Sequence, residues 1–247
     1  MRERRRIILS INELKIKRSS TFQLTIPFLN LTPGSVTCVV GANGSGKTTL
    51  VEAIVGLIPP KSGVVKVSGF EAHSDSAEVR RAIGYIPDDD TWIIPELTAR
   101  EYFELLASVQ TNAGSKKRMI VRAHELAEEL LFTSFNQQLG SLSHGNKKKV
   151  QIIAGLLHDP HFIVVDELRN GLDPIAIIQA EKILKRKQVG GSAIIAATHD
   201  LWWAERFADE IVMIRRGQVV LNDYTKNIVE RSGSLEKSFM EHYSHAL

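Results

Sequence analysis

A glycine-rich stretch at residues 41–49 constrains the fold of this chain more than any other feature of its sequence. The stretch fits the pattern G-x-x-x-x-G-K-[ST], in which backbone N–H groups surround the phosphates of a nucleotide. An apolar run at residues 36–40 predicts a buried strand before it, and apolar residues at helical spacing predict a helix at residues 49–57. A strand, a tight turn and a helix N-terminus are the context that such phosphate binding requires.

The individual residues of this phosphate loop have distinct expected roles. Lys47 is expected to reach the β- and γ-phosphates and to serve catalysis, and the Thr48 hydroxyl is expected to bind magnesium. The residues expected to contact the nucleotide are Gly41, Ala42, Asn43, Gly44, Ser45, Gly46, Lys47, Thr48 and Thr49.

The composition of the 247 residues is that of an ordinary soluble globular protein, with 43% apolar and 24% charged residues. No apolar run approaches the ~20 residues that span a bilayer. The charged N-terminal residues lack the apolar stretch of a secretory signal. Cys38 is the single cysteine, so an internal disulfide is excluded. The sequence therefore predicts a location in the cytosol.

The net charge is +3, and the positive charge is concentrated at residues 2–6 and 147–149. Such runs are most often solvated surfaces, although they can also contact acidic lipid headgroups or nucleic acid. Because no aromatic residues are interleaved with these charges, nucleic acid is not expected as a partner.

The order of apolar patterns along the chain predicts an α/β fold. Residues 7–31 suggest two or three antiparallel strands, and strand patterns recur at residues 64–67 and 83–86. Residues 94–139 have a helical pattern, in which Thr98 and Glu101 form a predicted capping box. Buried strands at residues 162–165, 193–197 and 211–214 then alternate with helices. This alternation predicts a mostly parallel sheet covered on both faces, with a helical insertion.

Two carboxylates, Asp166 and Glu167, directly follow the apolar strand at residues 162–165. A strand that ends in acids can present them to a ligand crevice. Asp166 is expected to hold magnesium, and Glu167 to orient or deprotonate an attacking water. Two solvated acids at a strand end are the alternative interpretation, which the upstream phosphate loop disfavours.

The segment Leu142-Ser143-His144-Gly145-Asn146 resembles the signature L-S-G-G-Q of the ATP-binding cassette (ABC) family, and its position before the acidic strand agrees. The resemblance covers nearly the whole chain. It implies that Ser143 and Gly145 bind the γ-phosphate held by an opposite subunit. It also implies that residues 171–174, with Asp173, form the loop that crosses the dimer interface, and that His199 contacts the γ-phosphate.

Three positions depart from the family pattern. Asp88 stands where the family has a glutamine; a carboxylate there can still bind magnesium or water, but it adds negative charge near the phosphates. Leu168 follows the expected catalytic glutamate where the family has a proline. The family often stacks adenine on an aromatic side chain, and Phe22 either has this role or belongs to the core.

The resemblance implies a single ABC ATPase domain over residues 1–247, with a RecA-like P-loop NTPase core and an N-terminal antiparallel β-subdomain. We expect the α/β core at residues 1–88 and 148–221, an inserted α-helical subdomain at 89–147, and a C-terminal helical tail without a motif at 222–247.

The resemblance also implies a function. Two cassettes would close around two ATP molecules, with Mg²⁺, and drive a separate transmembrane permease from the cytoplasmic face of the membrane.

Residues 97–101 resemble exporter-type cassettes of bacteria. The apolar residues Trp92, Ile93 and Ile94 suit either docking of the permease or packing of the helical lobe. The alternatives are a soluble ABC ATPase, as in iron–sulfur assembly, and a weakly hydrolysing regulatory cassette.

Overall fold

The computed structural model describes residues 7–74, 76–110 and 113–244, so the basic run at residues 2–6 lies outside the described residues. The described strands form one ten-stranded sheet in the order β5-β4-β1-β2-β10-β9-β3-β8-β7-β6. The strands are β1 (Leu9–Lys17), β2 (Gln23–Leu31), β3 (Val36–Val40), β4 (Ser62–Val67), β5 (Phe70–Glu71), β6 (Ile83–Ile86), β7 (Phe162–Asp166), β8 (Ala193–Thr198), β9 (Glu210–Arg215) and β10 (Gln218–Tyr224).

Helices cover both faces of this sheet and form a separate group between β6 and β7. The helices are α1 (Lys47–Ile54), α2 (Ala77–Ala82), α3 (Ala99–Gln110), α4 (Ala113–Glu129), α5 (His144–Leu156), α6 (Pro174–Val189), α7 (Leu201–Phe207), α8 (Thr225–Ser232) and α9 (Leu235–Ser244). Within the described ranges, no helix has both the length and the apolar character needed to cross a membrane.

The sheet has a parallel part and an antiparallel part. Strand β3 pairs in parallel with β8 and β9, and β7 pairs in parallel with β6 and β8. Strands β1, β2, β4 and β5 are joined by antiparallel pairing. The prediction of an α/β fold with a mostly parallel sheet and an N-terminal antiparallel sheet is confirmed.

Strands β3, β7 and β8 are buried along their whole length. Alternate residues of β7 enter different cores, since Ile163 and Val165 join one apolar cluster while Phe162 and Val164 join the other. This alternation follows from the two-residue period of a strand. It explains why the sequence of β7 is continuously apolar.

The parallel strands bring several predicted site residues to one edge of the sheet. The phosphate loop follows β3, Asp88 follows β6, Asp166 ends β7 and His199 follows β8. Because carboxyl ends of parallel strands share an edge, this topology creates a ligand crevice there.

The predicted capping box at the start of α3 is confirmed. The Thr98 N–H donates to Glu101 Oε2 at 2.8 Å, and the Glu101 N–H donates to Thr98 Oγ1 at 3.3 Å. These two bonds satisfy N–H groups that the helix itself leaves without partners.

Two of the expected segment boundaries fall inside regular elements. Helix α5 begins at His144, so a boundary between residues 147 and 148 would divide it. The helix starts this early because Ser143 caps it. Strand β10 extends to Tyr224 through pairing with β9, so residues 222–224 of the expected helical tail are a strand. Helices α8 and α9 follow it.

Candidate functional site

A cavity of about 580 Å³ lies at the carboxyl edge of the parallel strands. It brings together the phosphate loop, Phe22, Asp88, Glu167 and His199, which are distant in sequence. The residues that line it are Arg18, Phe22, Asn43, Gly44, Gly46, Lys47, Thr48, Thr49, Asp88, Glu167, Asn170 and His199.

The phosphate loop joins the buried end of β3 to the N-terminus of α1, which starts at Lys47. Lys47 is 7% exposed, and its ammonium donates to the carbonyl oxygens of Gly41 at 2.9 Å and Ala42 at 3.4 Å. The Ser45 Oγ is buried and has no hydrogen-bond partner among the described residues. A buried polar atom of this kind is costly unless a ligand satisfies it, so the loop fits a phosphate group.

Asp166 is 1% exposed, and its Oδ1 has no hydrogen-bond partner within the described ranges. Burial raises the pKa of this carboxyl to about 6, while a hydrogen bond from Thr48 acts in the opposite direction. Asp88 and Glu167 raise the pKa further through their negative charge. A buried, unsatisfied carboxylate beside a threonine hydroxyl fits the oxygen ligands that Mg²⁺ prefers.

Lys148 lies beneath these acids. The sequence had suggested that it belongs to a solvated run of charges at residues 147–149. Lys148 is fully buried, and its ammonium donates to the carbonyl oxygens of Pro87 at 2.6 Å and Asp166 at 3.2 Å. Burial lowers the pKa of Lys148 to about 8, and the nearby carboxylates of Asp88 and Asp166 oppose that shift. Lys148 therefore links α5 to the ends of β6 and β7.

The Glu167 carboxylate is tied to the residues that follow β8. Its Oε1 lies 2.9 Å from Nδ1 of His199, and its Oε2 accepts from the Thr198 hydroxyl at 3.1 Å. Glu167 has a φ of 46°, a left-handed conformation that costs energy in residues other than glycine. Strain held at this position is consistent with a side chain that function must orient.

The sequence patterns did not predict two of the residues that line the cavity, Asn170 and Arg18. The Asn170 amide donates to Asp88 Oδ1 at 2.8 Å, so Asp88 faces the turn that follows the acidic strand. Arg18 forms an ion pair with Glu52 of α1. Arg18 lies four residues before Phe22 in the same turn, and its positive charge there is the sequence signal that points to the cavity.

The Phe22 ring lies against the phosphate loop. A Cβ atom on Gly46 would lie 3.1 Å from Cζ of this ring. The ring lines the cavity and also packs at the edge of the apolar cluster beneath β1 and β2. Its position is compatible with either of the roles expected for it.

Ser143, Gly145 and Asp173 do not line the cavity. Ser143 is exposed at the N-terminus of α5, where its hydroxyl accepts from the Asn146 N–H at 3.3 Å. Asp173 caps α6 by accepting from the N–H groups of Ile175 and Ala176 at 3.0 and 2.9 Å. Ser143, Gly145 and Asp173 belong to a second surface, separate from the cavity, which we call the signature face.

The signature face is packed closely against the loop that precedes α6. A Cβ atom on Gly145 would lie 2.7 Å from the Gly171 carbonyl oxygen, so any side chain at this position would force the neighbouring backbone to move. Leu168 is buried, and Arg169 forms an ion pair with Asp200, the residue after His199. Leu168, which stands where the family has a proline, therefore places an apolar side chain in the core, and Arg169 places a cation beside the residue that follows His199.

Comparison with known proteins places this geometry in a family. The family model described as "ABC transporter" matches residues 26–170. An uncharacterized ABC transporter ATP-binding protein, YdbJ of Bacillus subtilis (strain 168), is 31% identical over 214 residues, covering 86% of this chain and 68% of that protein. The Nod factor export ATP-binding protein I of Rhizobium etli is 28% identical over 200 residues, covering 81% and 63% of the two chains.

Solved structures agree with the sequence comparisons. The structure of an ATP-binding subunit of an ABC transporter has a TM-score of 0.87 and 26% identity, and the match covers 95% of this chain and 99% of that one. A dimeric cassette in a post-hydrolysis state, bound to ADP and Pi, shares the fold with a TM-score of 0.77 and 23% identity over 88% and 99% of the chains. The chain therefore belongs to the ABC transporter family, as an ATP-binding subunit with the ATPase activity of that family.

Proposed function

We propose that this protein pairs with a second cassette around two ATP molecules and drives export through a separate membrane permease. One observation carries this proposal. The cavity collects the phosphate loop, Glu167 and His199, whereas Ser143 and Gly145 lie outside it on the signature face. Each catalytic pocket is therefore half built by one chain and completed by another.

Each half of the pocket has a defined task. Lys47 and the N–H groups of the phosphate loop hold the β- and γ-phosphates of ATP. Thr48 and Asp166 would hold Mg²⁺, which neutralises charge on the transferring phosphate when bound. Glu167 accepts the proton of the attacking water, and His199 keeps the Glu167 carboxylate in place through its 2.9 Å contact.

The signature face offers a complementary anion site to the partner's nucleotide. Ser143 presents an exposed hydroxyl at the N-terminus of a 13-residue helix, where free N–H groups and the helix dipole favour negative charge. The Lys149 ammonium, 3.9 Å from Asp173 Oδ2, adds positive charge nearby. If both subunits are this chain, the same surfaces meet twice across a twofold axis.

ATP stabilises the closed pair because its γ-phosphate contacts both subunits only after closure. Hydrolysis removes those contacts, and the pair can reopen. A ligand shifts such an equilibrium only by its different affinity for the two states, and the γ-phosphate contacts supply that difference.

The permease is proposed to dock beside Trp92, which holds this protein at the cytoplasmic face of the membrane. Trp92 and Ile94 are 46% and 39% exposed, whereas Ile93 is buried in the core. Trp92 borders a cavity of about 570 Å³ with Leu57 and Tyr85. Trp92 and Leu57 are both exposed apolar side chains that line this groove, an arrangement typical of an interaction site. The similarity to a Nod factor export ATP-binding protein supports the direction of transport.

The Glu167→Gln variant tests the catalytic assignment. We expect turnover to fall by about 10²–10⁴-fold, the usual contribution of a positioned base. The variant should accumulate as an ATP-bound dimer in size-exclusion chromatography. Glu96→Gln, at an exposed position away from the cavity, is the matched control and should retain turnover. Normal turnover in Glu167→Gln would mean that Glu167 is not the base.

The Ser143→Ala variant tests the shared pocket. Specific ATPase activity of the wild type should rise with protein concentration as dimers form, and Ser143→Ala should lower the maximal rate. Concentration-independent turnover at full rate, unaffected by Ser143→Ala, would contradict the two-subunit pocket.

The Trp92→Ala variant tests coupling to a permease. We expect the wild type to sediment with membranes that contain the permease, and Trp92→Ala to lose that association while keeping ATPase activity. A wild type that never co-purifies with a membrane protein would favour the soluble-ATPase alternative.

A further inference from the structure

The C-terminal helix α9, which carries no sequence motif, reaches the phosphate loop. Leu235 at its start is fully buried, and the rings of Phe239 and Tyr243 stack with their centroids 4.1 Å apart. Arg215 of β9 donates to the carbonyl oxygen of His242. Apolar packing and the hydrogen bond from β9 therefore hold the helix in place independently of its contact with the phosphate loop.

The Tyr243 hydroxyl connects β9 to the phosphate loop. It accepts a hydrogen bond from the Ala42 N–H at 3.1 Å and donates one to the Ile214 carbonyl oxygen at 2.6 Å. Both bonds use the hydroxyl in its normal capacity, as one donor and one acceptor. They join chain segments that are 201 and 29 residues apart from Tyr243.

The peptide unit that Tyr243 contacts also holds the phosphate-loop lysine. The Ala42 N–H and the Gly41 C=O belong to one planar peptide, and Lys47 donates to that carbonyl at 2.9 Å. The orientation set by the Tyr243 hydroxyl is therefore transmitted across a rigid plane to the Lys47 ammonium. Hydrogen bonds in such a chain also polarise one another.

The backbone around this peptide has little room for other arrangements. A Cβ atom on Gly41 would lie 2.4 Å from the Ile214 carbonyl oxygen, so the loop passes directly over β9. Tyr243 bridges these same two segments through its hydrogen bonds to Ala42 and Ile214. We propose that Tyr243 is a positioning residue that sets the Gly41–Ala42 peptide, and through it Lys47, for nucleotide binding.

This role rests on the ATP binding of the family and does not depend on dimerisation or on a permease. It gives the C-terminal helix a function in every catalytic cycle. It also predicts that displacement of α9, by a partner or by truncation, weakens nucleotide binding without a change in the cavity lining.

The Tyr243→Phe variant of the full chain is the test, because it keeps the stacked ring and removes only the hydroxyl. Titration calorimetry with ATP should show about fivefold weaker binding, the size of effect expected from loss of the hydrogen bond to Ala42, which is the one of the two lost bonds that contacts the phosphate loop. The Michaelis constant should rise by the same factor while the turnover number stays within twofold. Tyr102→Phe is the matched control, since it loses one hydroxyl bond, to the Trp92 carbonyl, in the helical lobe.

Hydrogen exchange separates positioning from a merely structural role. In Tyr243→Phe, peptides that cover residues 41–47 should exchange faster, while peptides from α9 should exchange as in the wild type. Unchanged ATP affinity would overturn the proposal. Faster exchange throughout α9 would also overturn it, because the effect would then come from loss of the helix. Failure of the two-subunit pocket would appear in Ser143→Ala kinetics and would leave this result unaffected.

Discussion

Replacement of Asp166 by asparagine should stabilise the protein in the absence of nucleotide and metal. The pKa of Asp166 is about 6, roughly two pH units above its ordinary value of 3.8, mainly because of burial. At about 1.36 kcal/mol for each pH unit, the ionised carboxylate costs the folded state about 3 kcal/mol. Asparagine keeps an acceptor for Thr48 and carries no charge, so it removes most of that cost.

The stability gain should depend on pH with a definite sign. Below pH 3.8 the carboxyl is protonated in both the folded and the unfolded chain, and the cost is absent. The cost develops as the pH rises from about 4 and is complete above the folded pKa of about 6. The gain from Asp166→Asn is therefore expected to be about 3 kcal/mol at pH 8 and roughly half as large at pH 5.

Thermal unfolding with a chelator present measures this gain. For a chain of this size, about 3 kcal/mol corresponds to an increase in Tm on the order of 6–12 °C at pH 8. Asp89→Asn, at an exposed neighbouring carboxylate, is the control and should leave Tm nearly unchanged. Equal stability of Asp166→Asn and wild type at pH 8, or an equal gain at both pH values, would refute the argument from burial.

Two further predictions concern the signature face. Asp173→Ala removes the cap of α6 and should lower the free energy of unfolding by about 1 kcal/mol in urea titrations, whereas Asp173→Asn should cost less. Gly145→Ala places a Cβ atom 2.7 Å from the Gly171 carbonyl oxygen, so α5 must shift. We expect a loss of about 1–3 kcal/mol in stability and reduced ATPase activity. Gly190→Ala, where the nearest atoms lie at 3.4 Å, is the control, and an equal loss in both would argue against the steric explanation.

Local patterns were sufficient for much of the fold. The strands β3, β7 and β8, the helix after the phosphate loop and the capping box of α3 follow from residues that are neighbours in sequence. The family and the α/β architecture were also predicted correctly, because the phosphate loop, the acidic strand and the signature stand in a characteristic order. The assignments of individual site residues stay predictions until the variants are measured.

Other features depend on contacts between distant segments, which a local pattern does not contain. The extension of β10 requires its pairing with β9, and so the predicted tail began three residues too early. Lys148 looked like part of a solvated charge run, yet α5 turns it inward to the Pro87 and Asp166 carbonyls. The Asn170 amide meets Asp88 across 82 positions of the chain.

The sequence by itself determined the nucleotide-binding loop, the class of fold and the order of the catalytic segments, since each depends on short-range spacing of residue types. The tertiary structure alone decided which cation lies beneath the acids, which amide faces Asp88 and that Tyr243 reaches Ala42. The physical reason is that buried polar groups must find partners wherever folding brings them. The packing of the sheet and helices determines those partners, and proximity along the chain does not.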